Sequence, residues 1–192
     1  MRALCGRSQL PKNYNPLRET EAMFDDVGAT TGITAEEFKR AMRRFAASVN
    51  VITTREGNTM NGMTATAVCS VSAEPPSLLI IVNRSNRSHP IIIRTRTFTV
   101  NMLAEGQEHL AAHFASRPAD PFEAVPHCLG SNGCPSIDGA DAHLECFVSN
   151  QFDSGSHTIF IGKIVATWVT EGVPLLYHDG SYRSLGGTTK AA

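Results

Sequence analysis

Residues 61–88 read NGMTATAVCSVSAEPPSLLIIVNRSNRS. A glycine turn leads into a run of Thr, Ala, Val and Ser. Pro75-Pro76 interrupts it, and an apolar run follows that ends in Asn83, Arg84, Ser85, Arg87 and Ser88. Short β-branched runs bounded by Gly and Pro specify strands, because such side chains pack well on a pleated surface. Two strands this close, separated by a proline break, fit an antiparallel arrangement better than the long crossovers of a parallel sheet.

The same punctuation continues along the chain. Strands are expected over 49–54, 63–71, 77–82, 97–103, 144–152, 157–170 and 175–177, with a turn at Glu56-Gly57-Asn58. Helices are fewer. Thr34-Ala35-Glu36-Glu37 forms a capping box, and Phe38, Met42, Phe45, Ala46 and Val49 then recur on one face of a 3.6-residue period. Its outer face is basic through Lys39, Arg40, Arg43 and Arg44. Short helices are expected over 89–94, where Pro90 suits a first turn, and over 107–114. Residues 115–137 are loop-rich. The expected fold is mostly β (α+β), a closed antiparallel barrel with a few short helices packed outside. Residues 1–31 show no period and read as a flexible extension, 32–187 as the folded domain and 188–192 as a tail.

Composition narrows the function classes. The 192 residues carry a formal net charge of -1, so nothing favours nucleic acid or an anionic membrane surface. No apolar run approaches the ~18–20 residues that span a bilayer, and the first residues lack a signal peptide's apolar core. The expected location is the cytoplasm. Five cysteines at irregular spacing give no disulfide framework. Cys69 and Cys146 fall within apolar strands and are expected in the core, and Cys128 and Cys134 in loops. Their spacing is not that of a zinc site, and no metal is expected. Neither G-x-G-x-x-G, a Walker lysine, G-x-S-x-G nor H-E-x-x-H occurs.

Four constellations can carry chemistry. Residues Asn61, Gly62, Met63, Thr64, Ala65 and Thr66 would offer backbone N–H and C=O groups, and threonine hydroxyls, to the polar edge of a flat ligand. Asn83, Arg84, Ser85, Arg87 and Ser88 follow the next strand, and arginine there gives charge-assisted bonds to a phosphate. Together these describe a phosphorylated planar ligand laid on a sheet, and a flavin fits. Gly155, Ser156 and His157 sit at a strand mouth, where a histidine can face a cleft. Asn101, near the end of a further strand with Gln107 and Phe114 beyond it, could bond such a ligand's ribityl chain or phosphate.

In this order the motifs resemble the flavin reductase family, the small reductase components of two-component flavin-dependent monooxygenases. The family's V-x-V-I-T-T strand, G-M-T-A, S-V-S-x-x-P-P, N-R-S-type loop, V-N-x-L…Q…F, G-D-H-x-x-x-x-G and P-L-L-Y with a final aromatic correspond to 49–54, 62–65, 70–76, 83–88, 100–114, 155–162 and 174–177 with Tyr182. The resemblance covers roughly 38–185. It implies a split β-barrel homodimer that holds FMN or FAD near the subunit interface. It also implies NADH or NADPH as hydride donor and a separate flavin-dependent monooxygenase receiving the reduced flavin. By position, 61–66 would line the ring, 83–88 would bind ribityl and phosphate, and Asn101 and Phe114 would border the pocket. Gly155, Ser156 and His157 would hold the nicotinamide. The family's acidic residue is Ser156 here, so a role for that carboxylate in orienting the histidine has no counterpart. The protein's part in such chemistry is orientation of the reacting rings. Two other readings stay open: a tightly bound flavoprotein reducing another acceptor, and a non-catalytic flavin- or haem-binding module.

Overall fold

The computed structural model describes residues 32–185. The expected extension, the tail and Cys5 lie outside the described residues. The chain divides into two units, 1–42 and 43–192.

In the first unit, α1 spans Ala35–Met42. Its capping box is formed: the Thr34 amide donates to Glu37 Oε2 at 2.8 Å, and the Glu37 amide to Thr34 Oγ1 at 3.2 Å. The Thr34 amide, and then the Thr34 hydroxyl donating to the same oxygen at 2.9 Å, hold the Glu37 carboxyl below its ordinary pKa. The helix ends at Met42, short of the expected apolar stripe. Phe45 is exposed and Val49 is buried elsewhere. Sheet pairing overrides the helical period: Ala47 and Ser48 form a short strand, paired with Tyr177 and Leu176.

In the second unit, β1 (Ala47–Ser48) is followed by β2 (Asn50–Glu56), β3 (Thr59–Ala65), β4 (Val68–Ala73), β5 (Pro76–Asn83), α2 (Ser88–Thr95), β6 (Thr97–Met102) and α3 (Glu108–Ala115). Then come β7 (His127–Leu129), β8 (Pro135–Ile137), β9 (Ala142–Ser154), β10 (His157–Val169), β11 (Leu176–His178) and β12 (Ser181–Arg183). The fold is mostly β, and the strand pairs are antiparallel. Seven strands form one sheet in the order β3-β2-β6-β9-β10-β5-β4.

The expected single strand over 63–71 is broken at Thr66-Ala67, and its halves are the two opposite edges of that sheet. Flat, seven strands would hold their edges about 29 Å apart. Ala65 and Val68 are three Cα steps apart, at most about 11 Å. The sheet must therefore curl until its edges meet at this corner. β3 and β4 are not paired with each other, so the ladder stays open there and the expected closed barrel is not formed.

Curling buries β2 on both faces. Ile52 joins Phe98, Phe160, Ile80 and Ile92 in an inner core. Val49 and Val51 join Phe114, Phe122, Leu110 and Leu175 in an outer one, covered by α3. The alternation is that of a strand with both faces apolar. Polar residues in β2 are tolerated because they are bonded: Thr53 donates to Pro135 O at 2.5 Å and Thr54 to Thr97 O at 3.0 Å. Cys146 is a core residue, its thiol pushed up to about 12 by burial. Cys69 is exposed, contrary to expectation, because β4 is an edge strand with little covering it. Cys134 lies in the turn between β7 and β8, as expected, but is buried, and Cys128 lies exposed in β7 rather than in a loop. Among the described residues no helix is long and apolar enough to cross a membrane.

Gly162 marks how tightly the inner core closes. A Cβ there would stand 2.5 Å from Phe98 Cζ and 2.9 Å from Cys146 Cβ. Gly162→Ala is expected to destabilise the fold by about 1–3 kcal/mol through overpacking, read as a lower midpoint in denaturant unfolding.

Candidate cofactor site

β3 bonds to β2 along one side only, so its outer row of backbone donors and acceptors is not used by the ladder. Its side chains are placed unevenly. Gly62 leaves no room for a methyl group: a Cβ would lie 2.6 and 2.7 Å from two Phe114 ring atoms. Phe114 is buried and supports the strand from α3. Met63 points into the inner core. Thr64 donates its hydroxyl to Ala111 O of α3 at 2.6 Å, so that proton is spent on the helix. Thr66 is exposed at the corner where β3 ends.

Thr64, Ala65 and Thr66 line one side of a cavity of about 250 Å³, with Val49, Ala115, Tyr177 and Tyr182 around it. The two tyrosine rings meet edge to face at 5.7 Å. Burial, then the neighbouring Tyr177, raises the Tyr182 phenol's pKa. Asn50 is 2% exposed and does not line this cavity; its Nδ2 donates to Ser48 O at 3.0 Å and Ala65 O at 3.4 Å, which ties the end of β3 to β2. Its Oδ1 is a buried acceptor with no donor among the described residues.

A second, small recess lies farther back along β3, at Asn61 and Gly62. Asn61, Asn86, Arg87, Arg117 and Pro118 line it with Gly62. Arg87 Nη2 donates to the carbonyl of Arg117, and to that of Pro118 at 2.9 Å. The recess holds only about 10 Å³, room for about one water, and its two arginines with no lining carboxylate favour an anionic group at its mouth. Ser88 is fully buried and donates to Asn61 Oδ1 at 3.2 Å, so it shapes the recess from below.

The 83–88 loop divides in two. Arg87 turns to the 117–118 loop, whereas Arg84 donates to Gly155 O at 2.6 Å and lies 3.8 Å from Asp153. Asn83 accepts from the amide and hydroxyl of Ser85 at 2.8 and 2.7 Å, a local turn. Asn83 also pairs with His157 across β5 and β10. Gly155 takes a positive φ of 53° in the two-residue turn before His157. Ser156 Oγ lies 2.9 Å from His157 Nδ1, so the hydroxyl standing at the family's acidic position does touch the histidine. Behind it, Thr158 donates to Asp153 at 2.6 Å, which makes His89 Nε2 the donor to Thr158 Oγ1 at 2.9 Å.

Asn101 stands apart from both recesses. It is fully buried, and its Nδ2 donates to Val51 O and Thr53 Oγ1. Its Oδ1 accepts from Ile137 N and His143 Nδ1. Its amide is spent on joining strands. Sequence reasoning did not single out Asn50, Arg117 or Ala115, and it noted Tyr177 and Tyr182 only as motif positions. The tyrosines' spacing across a turn was the available signal.

Gly62→Ala is expected to displace Phe114 and lower stability by about 1–3 kcal/mol. Adding Phe114→Leu should recover part of that loss, which a double-mutant cycle of unfolding free energies would read. Burial also depresses the pKa of His89 and of His143. Both then take up protons in the unfolded chain first, near the ordinary 6.5, so stability should fall as pH drops through that value and level off below the folded pKa values. Melting midpoints measured between pH 8 and 5 check this, and His89→Gln should flatten the slope.

Residues 42–186 match the family described as flavin reductase like domain. The FMN reductase (NADH) RutF of Stutzerimonas stutzeri is 36% identical over 80% of this chain and 90% of its own. The reductase component of 4-hydroxyphenylacetate 3-monooxygenase from Thermus thermophilus is 36% identical over 78% of this chain and 96% of its own. Among solved structures, the Streptomyces globisporus NADH:FAD oxidoreductase SgcE6 in complex with NAD and FAD fragments superposes with a TM-score of 0.76. It is 35% identical over 80% of this chain and 94% of its own. A match over this span, on a fold with the motifs in the same order, makes the chain a member of the flavin reductase family.

Proposed function

We propose that this protein is an NADH-dependent flavin reductase that reduces FMN or FAD and supplies the reduced flavin to a partner monooxygenase. The observation that carries the reading is the continuity of β3 from the tyrosine-flanked cavity to the arginine recess: one strand edge offers a planar seat at one end and a phosphate seat at the other. The bound flavin would supply the hydride-accepting ring. The chain's own part is to bind and orient. The edge of 61–66 would meet the polar rim of the ring, and Tyr177 and Tyr182 would wall the cavity. Arg87, with Arg117, would hold the phosphate. Ser156 and His157 would meet the nicotinamide, and the serine would fix the imidazole through Nδ1. Arg84, tied to Gly155, would hold that turn in place.

The curled sheet with its open corner supports a split barrel. The exposed Phe147, Phe152 and Val165 on β9 and β10 support a second copy covering them as a homodimer. No membrane or nucleic-acid partner is proposed, and the location proposed is the cytoplasm.

NADH oxidation by purified protein should saturate at micromolar added FMN or FAD. No oxidation with either flavin would overturn the reading. Arg87→Ala should raise the KM for FMN about tenfold, the loss of one charge-assisted bond, with kcat little changed.

A further inference from the structure

A cavity of about 470 Å³ lies away from the proposed flavin seat and shares no lining residue with it. It opens between the β7–β8 hairpin and the paired strands β9 and β10. Trp168, 55% exposed, forms an aromatic shelf there. His143 lies against it, with ring centroids 5.4 Å apart and planes tilted by 35°. Asp138 and Glu145 add two carboxylates, and no lysine or arginine lines the space.

The charged and imidazole groups of the lining act as acceptors toward the space, beside the hydroxyls of Ser131, Ser136 and Thr167. Asn101 Nδ2 donates to two oxygens, so its Oδ1 can only accept, and His143 Nδ1 must carry the proton of the 3.0 Å bond between them. The imidazole is half-buried and its pKa is lowered by that burial. Its Nε2 is therefore a lone pair, with no donor to it among the described residues. Glu145 Oε2 accepts from Ser131 Oγ at 2.6 Å and from the Asn132 amide at 3.1 Å. Both donors are neutral, so its charge is uncompensated. Asp138 is exposed at the rim, and no side chain pairs with its carboxylate among the described residues.

An aromatic shelf ringed by carboxylates and a fixed lone pair favours positive charge and N–H donors, and it repels phosphates. We propose that this cavity is a second ligand site, which binds a planar aromatic cation bearing N–H donors, stacked on Trp168 and hydrogen-bonded to Asp138 and His143. The same charge pattern keeps flavin phosphates and dinucleotides out, so the ligand is not a stray cofactor. Cys128 lies exposed on the cavity wall and reports occupancy without taking part in it.

Benzamidine is the probe, and the full chain is the sample. Trp168 is the only tryptophan in the sequence, so its fluorescence reads this cavity alone. Benzamidine should quench it saturably and should slow iodoacetamide alkylation of Cys128 severalfold, with Cys69 alkylation unchanged. Benzoate, equal in size and opposite in charge, should do neither. Asp138→Asn, an exposed substitution that leaves the fold intact, should weaken the benzamidine response fivefold or more, and Trp168→Ala should abolish the protection of Cys128. A quench that stays linear, equal effects of benzoate, equal protection of both cysteines, or an unchanged response in Asp138→Asn would each overturn the proposal. NADH oxidation is not part of the readout, so the result is independent of the reductase reading.

Discussion

Two residues, Thr66 and Ala67, hold the fold to its form. They join strands that sit at opposite edges of a seven-stranded sheet, and a link that short allows only a curled sheet. Curling gives β2 two buried faces and separates an inner core around Phe98 and Phe160 from an outer one around Phe114. It also leaves β3 as an unpaired edge beside α3. The proposed cofactor seat is a by-product of closing the sheet, because an edge that the barrel does not consume remains available to a ligand.

The residues around that edge divide the labour. Gly62 and Phe114 fit each other so closely that neither can change alone. Thr64 ties the strand to α3. The groups left over are backbone atoms and the two tyrosines. A site built from backbone and small residues reads a ring's edge and leaves its faces free, as a protein that passes its cofactor on would need. The histidine turn is held by a separate chain of bonds, from Arg84 through Asp153 and Thr158 to His89. The proposed nicotinamide end is thus braced independently of the phosphate end.

Much of this was legible in the sequence. The strands follow from β-branched runs, and α1's start from Thr34 and Glu37. The end of α1 was not legible, because residues 45–49 carry both a helical period and strand-forming neighbours, and only the partner strand at Tyr177 decides between them. The break at Thr66-Ala67 carries no proline or glycine. It follows from where β4 finds its partner in β5, which a local reading does not contain. Side-chain direction was the other gap. Asn101, Thr64 and Phe114 have the residue types a ligand site would use, yet the structure spends them on Val51, Ala111 and Gly62. Arg84 and Arg87 look equivalent in the loop, and only the fold sends them to different neighbours.

The most direct measurement is a structure of this protein with FMN bound. The account predicts the ring edge against the backbone of 62–66, walled by Tyr177 and Tyr182, with the phosphate within hydrogen-bonding distance of Arg87. A flavin seated elsewhere, with the outer edge of β3 left bare, would contradict it.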